Sequence, residues 1–146
     1  MSVKEAQEKI VANMSKWQKI EQASIQSTGR IAEATDNPII SLVAQIIQRD
    51  SENHKRVQEL IQSSLEKQAV ALSPDDLGKV WNLIEKHIAI EKETVTLAKD
   101  SLQAIEGKKG MIIQQYLIEY LLKDEEKHDA ILANLEAIKK NMYPYG

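Results

Sequence analysis

The chain has no cysteine. That absence excludes disulfides, thiolate zinc sites, iron–sulfur clusters, rubredoxin-type iron and cysteine nucleophiles. It also fits a cytoplasmic protein. No apolar run approaches the roughly 20 residues that a membrane span needs. The polar opening Met1-Ser-Val-Lys-Glu lacks the apolar stretch of a secretory leader. The expectation is a cytoplasmic protein with no membrane partner. An excess of basic charge is missing too. The net charge is −3 and Lys and Arg are interspersed with acids, so no nucleic-acid partner is expected.

Glycine and proline are scarce, at five and three residues, and they mark the joints. Asp36-Asn37-Pro38 is a breaker. Ser73-Pro74-Asp75-Asp76 reads as an N-cap followed by Pro and acids in a first turn. Gly107-Lys108-Lys109-Gly110 is a turn, and Pro144 is expected to stop the last segment. The stretches between contain mainly helix formers without a period-two pattern. They predict four helices over about 3–33, 38–67, 75–106 and 111–141. Asn141 to Gly146 suggests no fifth. At 146 residues the chain is read as one domain, residues 1–146. Helices of about 30 residues, each roughly 45 Å long, suit an all-α four-helix bundle.

Each helix carries a stripe spaced alternately three and four residues. The first offers Ile10, Met14, Trp17, Glu21, Ser24, Thr28 and Ile31. The second offers Val43, Ile47, Asp50 or Ser51, His54, Val57 and Ile61. The third offers Val80, Ile84, His87, Glu91, Thr94 and Ala98. The fourth offers Leu117, Leu121, Glu125, His128, Leu132 and Leu135. Every stripe is apolar toward its ends and polar near its middle. Aligned in a bundle, these middles would cluster Glu21, His54, His87, Glu91, Glu125 and His128.

Buried carboxylates cost several kcal/mol each unless compensated, and a cation compensates them. Carboxylate and neutral imidazole are ligands for Fe, Mn and Zn. Glu125-x-x-His128 places both side chains on one helical face. Alone, that spacing is more often a surface pair. Four polar interruptions in register are a much stronger signal. An internal repeat adds to it. Ile20-Glu-Gln-Ala-Ser-Ile25 matches Ile90-Glu-Lys-Glu-Thr-Val95 at an offset of 70, and Arg49-Asp-Ser-Glu-Asn-His54 matches Lys123-Asp-Glu-Glu-Lys-His128 at an offset of 74. The chain reads as two copies of a helical hairpin, each with a Glu on its first helix and a His on its second.

With these residues the chain resembles the ferritin-like superfamily, and most closely small rubrerythrin-type proteins, over nearly its whole length. The resemblance implies two hairpins joined by a crossover, for which Glu66 to Leu77 is long enough. Spacing alone equally allows a simple antiparallel connection. The family carries Glu, E-x-x-H, Glu and E-x-x-H on successive helices around a di-iron or di-manganese centre. It therefore implies Glu21 and Glu91 as terminal carboxylates, Glu125 as a bridging carboxylate, and His54 and His128 as imidazole ligands. Asp50 and Asp124 stand where the family has an acid that orients a ligating His.

The departure lies on the second helix, where Ser51 replaces the first Glu of E-x-x-H. Glu52 cannot substitute from the wrong face. Asp50 is a candidate substitute ligand and His87 a candidate additional one, with a neutral His87 hydrogen-bonded to a nearby carboxylate as the alternative. The implied cofactor is iron, most simply two ions, with Mn or Zn as alternatives. The implied chemistry is Fe(II) oxidation or reduction of peroxide or O2 by a rubrerythrin-like oxidoreductase. With no Cys relay, that would use an external electron donor. A second copy of the chain, in a homodimer, is a candidate partner. Two other readings stay open: a metal-free structural or interaction module with a hydrogen-bonded polar layer, and a single-metal protein without turnover.

Overall fold

Local capping chemistry sets where the helices begin. The computed structural model describes residues 1–142, and these form four α-helices with no strand among the described residues. Helix α1 spans Val3–Ala34. Its N-cap Ser2 accepts from the Glu5 amide at 3.1 Å, and the Glu5 carboxylate accepts from the Ser2 amide at 3.2 Å, a reciprocal capping box. Helix α2, Pro38–Glu66, starts where Asn37 accepts from the amides of Ile39 and Ile40, with Pro38 supplying a first-turn residue that needs no donor.

Helix α3, Pro74–Ile105, repeats the capping box with Ser73 and Asp76 at 3.1 and 2.9 Å. Hydrogen bonds from the Ser73 backbone and hydroxyl hold the Asp76 carboxyl below its ordinary value. Ser73→Ala removes the acceptor for the Asp76 amide and is expected to cost about 1 kcal/mol, read as a lower urea midpoint with an unchanged slope. Helix α4, Ile112–Met142, follows a turn in which Gly107 (φ 69°) and Gly110 (φ 78°) take left-handed conformations that favour glycine. The expected stop at Pro144, and the expected absence of a fifth helix, fall on residues 143–146, outside the described residues.

The four helices match the predicted ones to within a residue at each end. The segment joining α2 to α3 is residues 67–73. This is shorter than the Glu66-to-Leu77 stretch allotted to a crossover, because Ser73 and Pro74 already start α3. The helices pair as two hairpins, α1 with α2 and α3 with α4. They fall in two compact units, Met1–Ala71 and Leu72–Gly146.

In the first hairpin the helices run antiparallel, joined by polar contacts. Gln18 donates to Gln62 at 2.7 Å, the Ser24 and Ser51 hydroxyls meet at 2.8 Å, and Gln48 donates to the Ile25 carbonyl at 3.1 Å. Ala44, Ser51 and Gln58 are buried at heptad spacing on α2, facing Glu21 and Thr28 of α1. The second hairpin is also antiparallel. It buries Leu77, Trp81, Glu91 and Ala98, and Lys139 of α4 lies 4.7 Å over the Trp81 ring, a cation–π contact.

The seams keep the predicted stripes at Glu21, Thr28, Ser51, Glu91 and Ala98 and depart from them elsewhere. Ile10, Trp17, Ile31, Val57, Val80 and Leu121 are exposed. Ala44, Gln58, Leu77 and Trp81 are buried instead. A helix packed in a hairpin hides a narrow stripe from its one partner, whereas the apolar face of these helices is wider. A shift of one residue turns the stripe by about 100°, and a three–four spacing fits either phase.

Candidate metal centre

The midpoint of the second hairpin is where carboxylates and imidazole meet. Glu91 occupies the α3 seam and is 6% exposed. Glu125 faces it from α4, and His128 stands one turn later on the same face. One ligand-capable atom from each of Glu91, Glu125 and His128 lies within 4.8 Å of the others. This group could hold a metal ion. His128 Nδ1 is 3.4 Å from Glu91 Oε1 and 3.6 Å from Glu125 Oε2. Its other nitrogen, Nε2, is 3.4 Å from Asp124 Oδ2. Asp124 is thus placed to fix the ring's orientation, as an outer carboxylate does for a ligating histidine. Lys127 also pairs with Asp124, at 2.8 Å.

Two neighbours complete the cluster. The Thr94 hydroxyl is 3.0 Å from Glu125 Oε2 and 2.7 Å from the Glu91 carbonyl. His87, one turn before Glu91, places Nε2 2.8 Å from Glu91 Oε1. Glu91 Oε2 is buried with no hydrogen-bond partner among the described residues.

The electrostatics follow from two carboxyls in one small volume. A hydrogen bond from Glu125 is the main influence holding the Glu91 carboxyl below its ordinary value. Burial opposes it, while the His87 bond and the charges of His128 and His87 assist. Glu125 is pushed up, first by sharing its proton with Glu91 and then by burial, with Thr94 opposing. The two carboxyls therefore titrate as a coupled pair, Glu91 below its ordinary value and Glu125 above it.

The first hairpin repeats the arrangement with Trp17 in place of His87, Ser24 in place of Thr94 and Ser51 in place of Glu125. Glu21 is 7% exposed on the α1 seam. His54 of α2 approaches it with Nδ1 at 3.6 Å. Trp17, one turn before Glu21, donates its indole N–H to Glu21 Oε1 at 3.1 Å. Glu21 Oε2 is again buried without a hydrogen-bond partner among the described residues. Where Thr94 meets Glu125 in the second hairpin, Ser24 meets Ser51 here. Ser51 is 5% exposed and stands against Ser24 as Glu125 stands against Thr94 in the second hairpin. Glu52 is exposed, on the other face. Asp50 is half-buried, but among the described residues it forms no ion pair with His54 like that between Asp124 and His128.

The chain matches no family model, no curated protein and no solved structure.

The sequence-predicted residues thus fall into two local sets, Glu21 with His54 in one hairpin, and Glu91, Glu125, His128, His87 and Asp124 in the other. Sequence reasoning missed the hydroxyl pairings of Ser24 and Thr94 and the indole hydrogen bond of Trp17, which the stripe contains without an assigned role. The missed signal was positional. Trp17 precedes Glu21 by the same four residues that separate His87 from Glu91, and Ser24 and Thr94 follow those glutamates by three.

Proposed function

We propose that this chain is a metal-binding protein in which Glu91, Glu125 and His128 hold a divalent first-row cation. The observation that supports this most is the gathering of a second carboxylate and an imidazole around the buried Glu91, whose Oε2 lacks a hydrogen-bond partner among the described residues. A buried oxygen that ought to be satisfied and is not invites an explanation such as an ion. The oxygen-rich, single-imidazole donor set suits Fe, Mn or Zn. Iron is preferred on the ferritin-like resemblance. On that reading bound iron supplies redox chemistry toward O2 or peroxide with an external reductant. The protein's own part is to fix the carboxylates, orient His128 through Asp124, and release the Glu125 proton when a cation enters.

The test is elemental analysis of protein purified without chelator and again after anaerobic Fe(II) reconstitution. One metal per chain, lost on replacing His128 or Glu125, is the expected minimum. Two per chain is what the ferritin-like reading adds, together with consumption of H2O2 during Fe(II) oxidation. No bound metal under either condition overturns the proposal. It would favour the metal-free module, for which the Trp17–Glu21, Ser24–Ser51, His87–Glu91 and Thr94–Glu125 hydrogen bonds already speak.

A further inference from the structure

The two hairpins treat their buried glutamates alike in a way that neither helix pattern nor ligand spacing requires. In each, Oε1 collects two nitrogens, one from the residue four positions earlier and one from the histidine on the facing helix. For Glu21 these are Trp17 Nε1 at 3.1 Å and His54 Nδ1 at 3.6 Å. For Glu91 they are His87 Nε2 at 2.8 Å and His128 Nδ1 at 3.4 Å. In each, Oε2 is buried with no hydrogen-bond partner among the described residues. An indole nitrogen is a donor only and binds no metal. Its position is taken by an imidazole in the second copy.

We propose that His87 is a positioning residue and not a metal ligand: its Nε2–H does what the Trp17 indole N–H does, tethering Oε1 of the glutamate one turn later so that Oε2 is left to face a cation. The role of Oε2 rests on the metal-binding reading above. The tether does not.

Three observations carry the inference beyond the repeat. His87 lies outside the group of atoms gathered within 4.8 Å, which comprises Glu91, Glu125 and His128. Its side chain is 55% exposed, so only its tip reaches the seam. His87 Nε2 is already engaged at 2.8 Å by Glu91 Oε1, and a nitrogen that donates that bond has no lone pair for a metal.

Two variants and one metal-free measurement test this, with Co(II) as the probe. In His87→Trp the donor is kept and the ligand removed. The exposure of His87 leaves room for the larger ring, and position 17 shows that the fold accepts Trp there. In His87→Phe both are removed. The expected result is near wild-type Co(II) affinity and an unchanged ligand-field spectrum for His87→Trp. For His87→Phe the expectation is a loss of about tenfold with the same band positions, the scale of lost outer-partner contacts. Circular dichroism verifies that both variants are helical. Equal losses in the two variants, with shifted bands, would make His87 a ligand and overturn the proposal. Unchanged affinity in both would remove any positioning role. The third measurement is 15N NMR of the metal-free protein, where His87 should show a protonated Nε2 at neutral pH. An unprotonated Nε2 sinks the tether whatever the metal results. Failure of the wild-type protein to bind Co(II) instead counts against the metal-binding reading, leaving the tether to be decided by the NMR.

Discussion

Glu125→Gln should abolish metal binding and at the same time stabilise the metal-free protein. The first effect follows from removing a charged ligand, with an expected loss of more than about 100-fold, beyond what outer partners contribute. The second follows from the shared proton. Glu125 is raised chiefly by its hydrogen bond with Glu91 and then by partial burial. A raised carboxyl contributes stability that is fully present below its ordinary value of 4.5 and is lost as pH rises through the raised folded value. A glutamine amide donates to Glu91 at every pH and loses nothing. Glu91, held low, contributes above the ordinary value and loses its contribution as pH falls. That contribution should survive in the variant.

The variant's advantage should therefore be greatest at neutral to alkaline pH and shrink toward pH 5. Thermal melts of both metal-free proteins at several pH values would show it. An equal difference at all pH values would contradict the shared proton. Wild-type metal affinity should rise with pH while Glu125 remains protonated, because each ion bound displaces that proton.

Ser51→Glu should add a second cation site within the first hairpin. Ser51 is buried and already meets Ser24. The longer acid would have Ser24 as a donor, as Glu125 has Thr94. Glu21 and His54 stand 3.6 Å apart beside it, completing the two-carboxylate, one-imidazole set. Metal content should rise by about one ion per chain, reproducing the ratio of one group to one hairpin. Without metal, the substitution should lower stability by about 1–3 kcal/mol, the scale of a poorly satisfied buried polar group. Saturating Fe(II) or Co(II) should recover it through binding to the folded state. Ser51→Gln is the control, equal in length but uncharged, and should gain no metal. A well-folded Ser51→Glu protein that binds no additional ion would show that Ser51 is not the counterpart of Glu125.

The fold was legible where the chain carries capping chemistry. Ser73, Pro74 and Asp76 state a helix start in three residues, and Asn37-Pro38 does so in two. Both starts lie where they were read. The phase of the seams was less legible. Ile10 and Val11, or Val57 and Gln58, fit the same three–four rhythm, and nothing local says which neighbour faces the partner. It was harder still to foresee that α2 would bury Gln58 while exposing Val57, since hydropathy argues the reverse. Within the site, Glu125 and His128 announced themselves by spacing, and Glu91 by its repeat with Glu21. Trp17 did not, because an aromatic on a stripe is usually packing, and its N–H matters only once Glu21 is known to be buried beside it.

The polar contacts between α1 and α2 have a thermal consequence. Opening that seam wets Gln18, Ser24, Thr28, Gln48, Ser51 and Gln62. Polar surface lowers the heat capacity of unfolding, whereas apolar surface raises it. The α3–α4 seam, with Leu77, Trp81 and Ala98 buried, contributes in the opposite sense. On cooling, apolar burial loses strength. The half of the protein that carries the two-carboxylate cluster is thus the half whose cohesion weakens in the cold, while its hydrogen-bonded sibling holds a flatter stability curve.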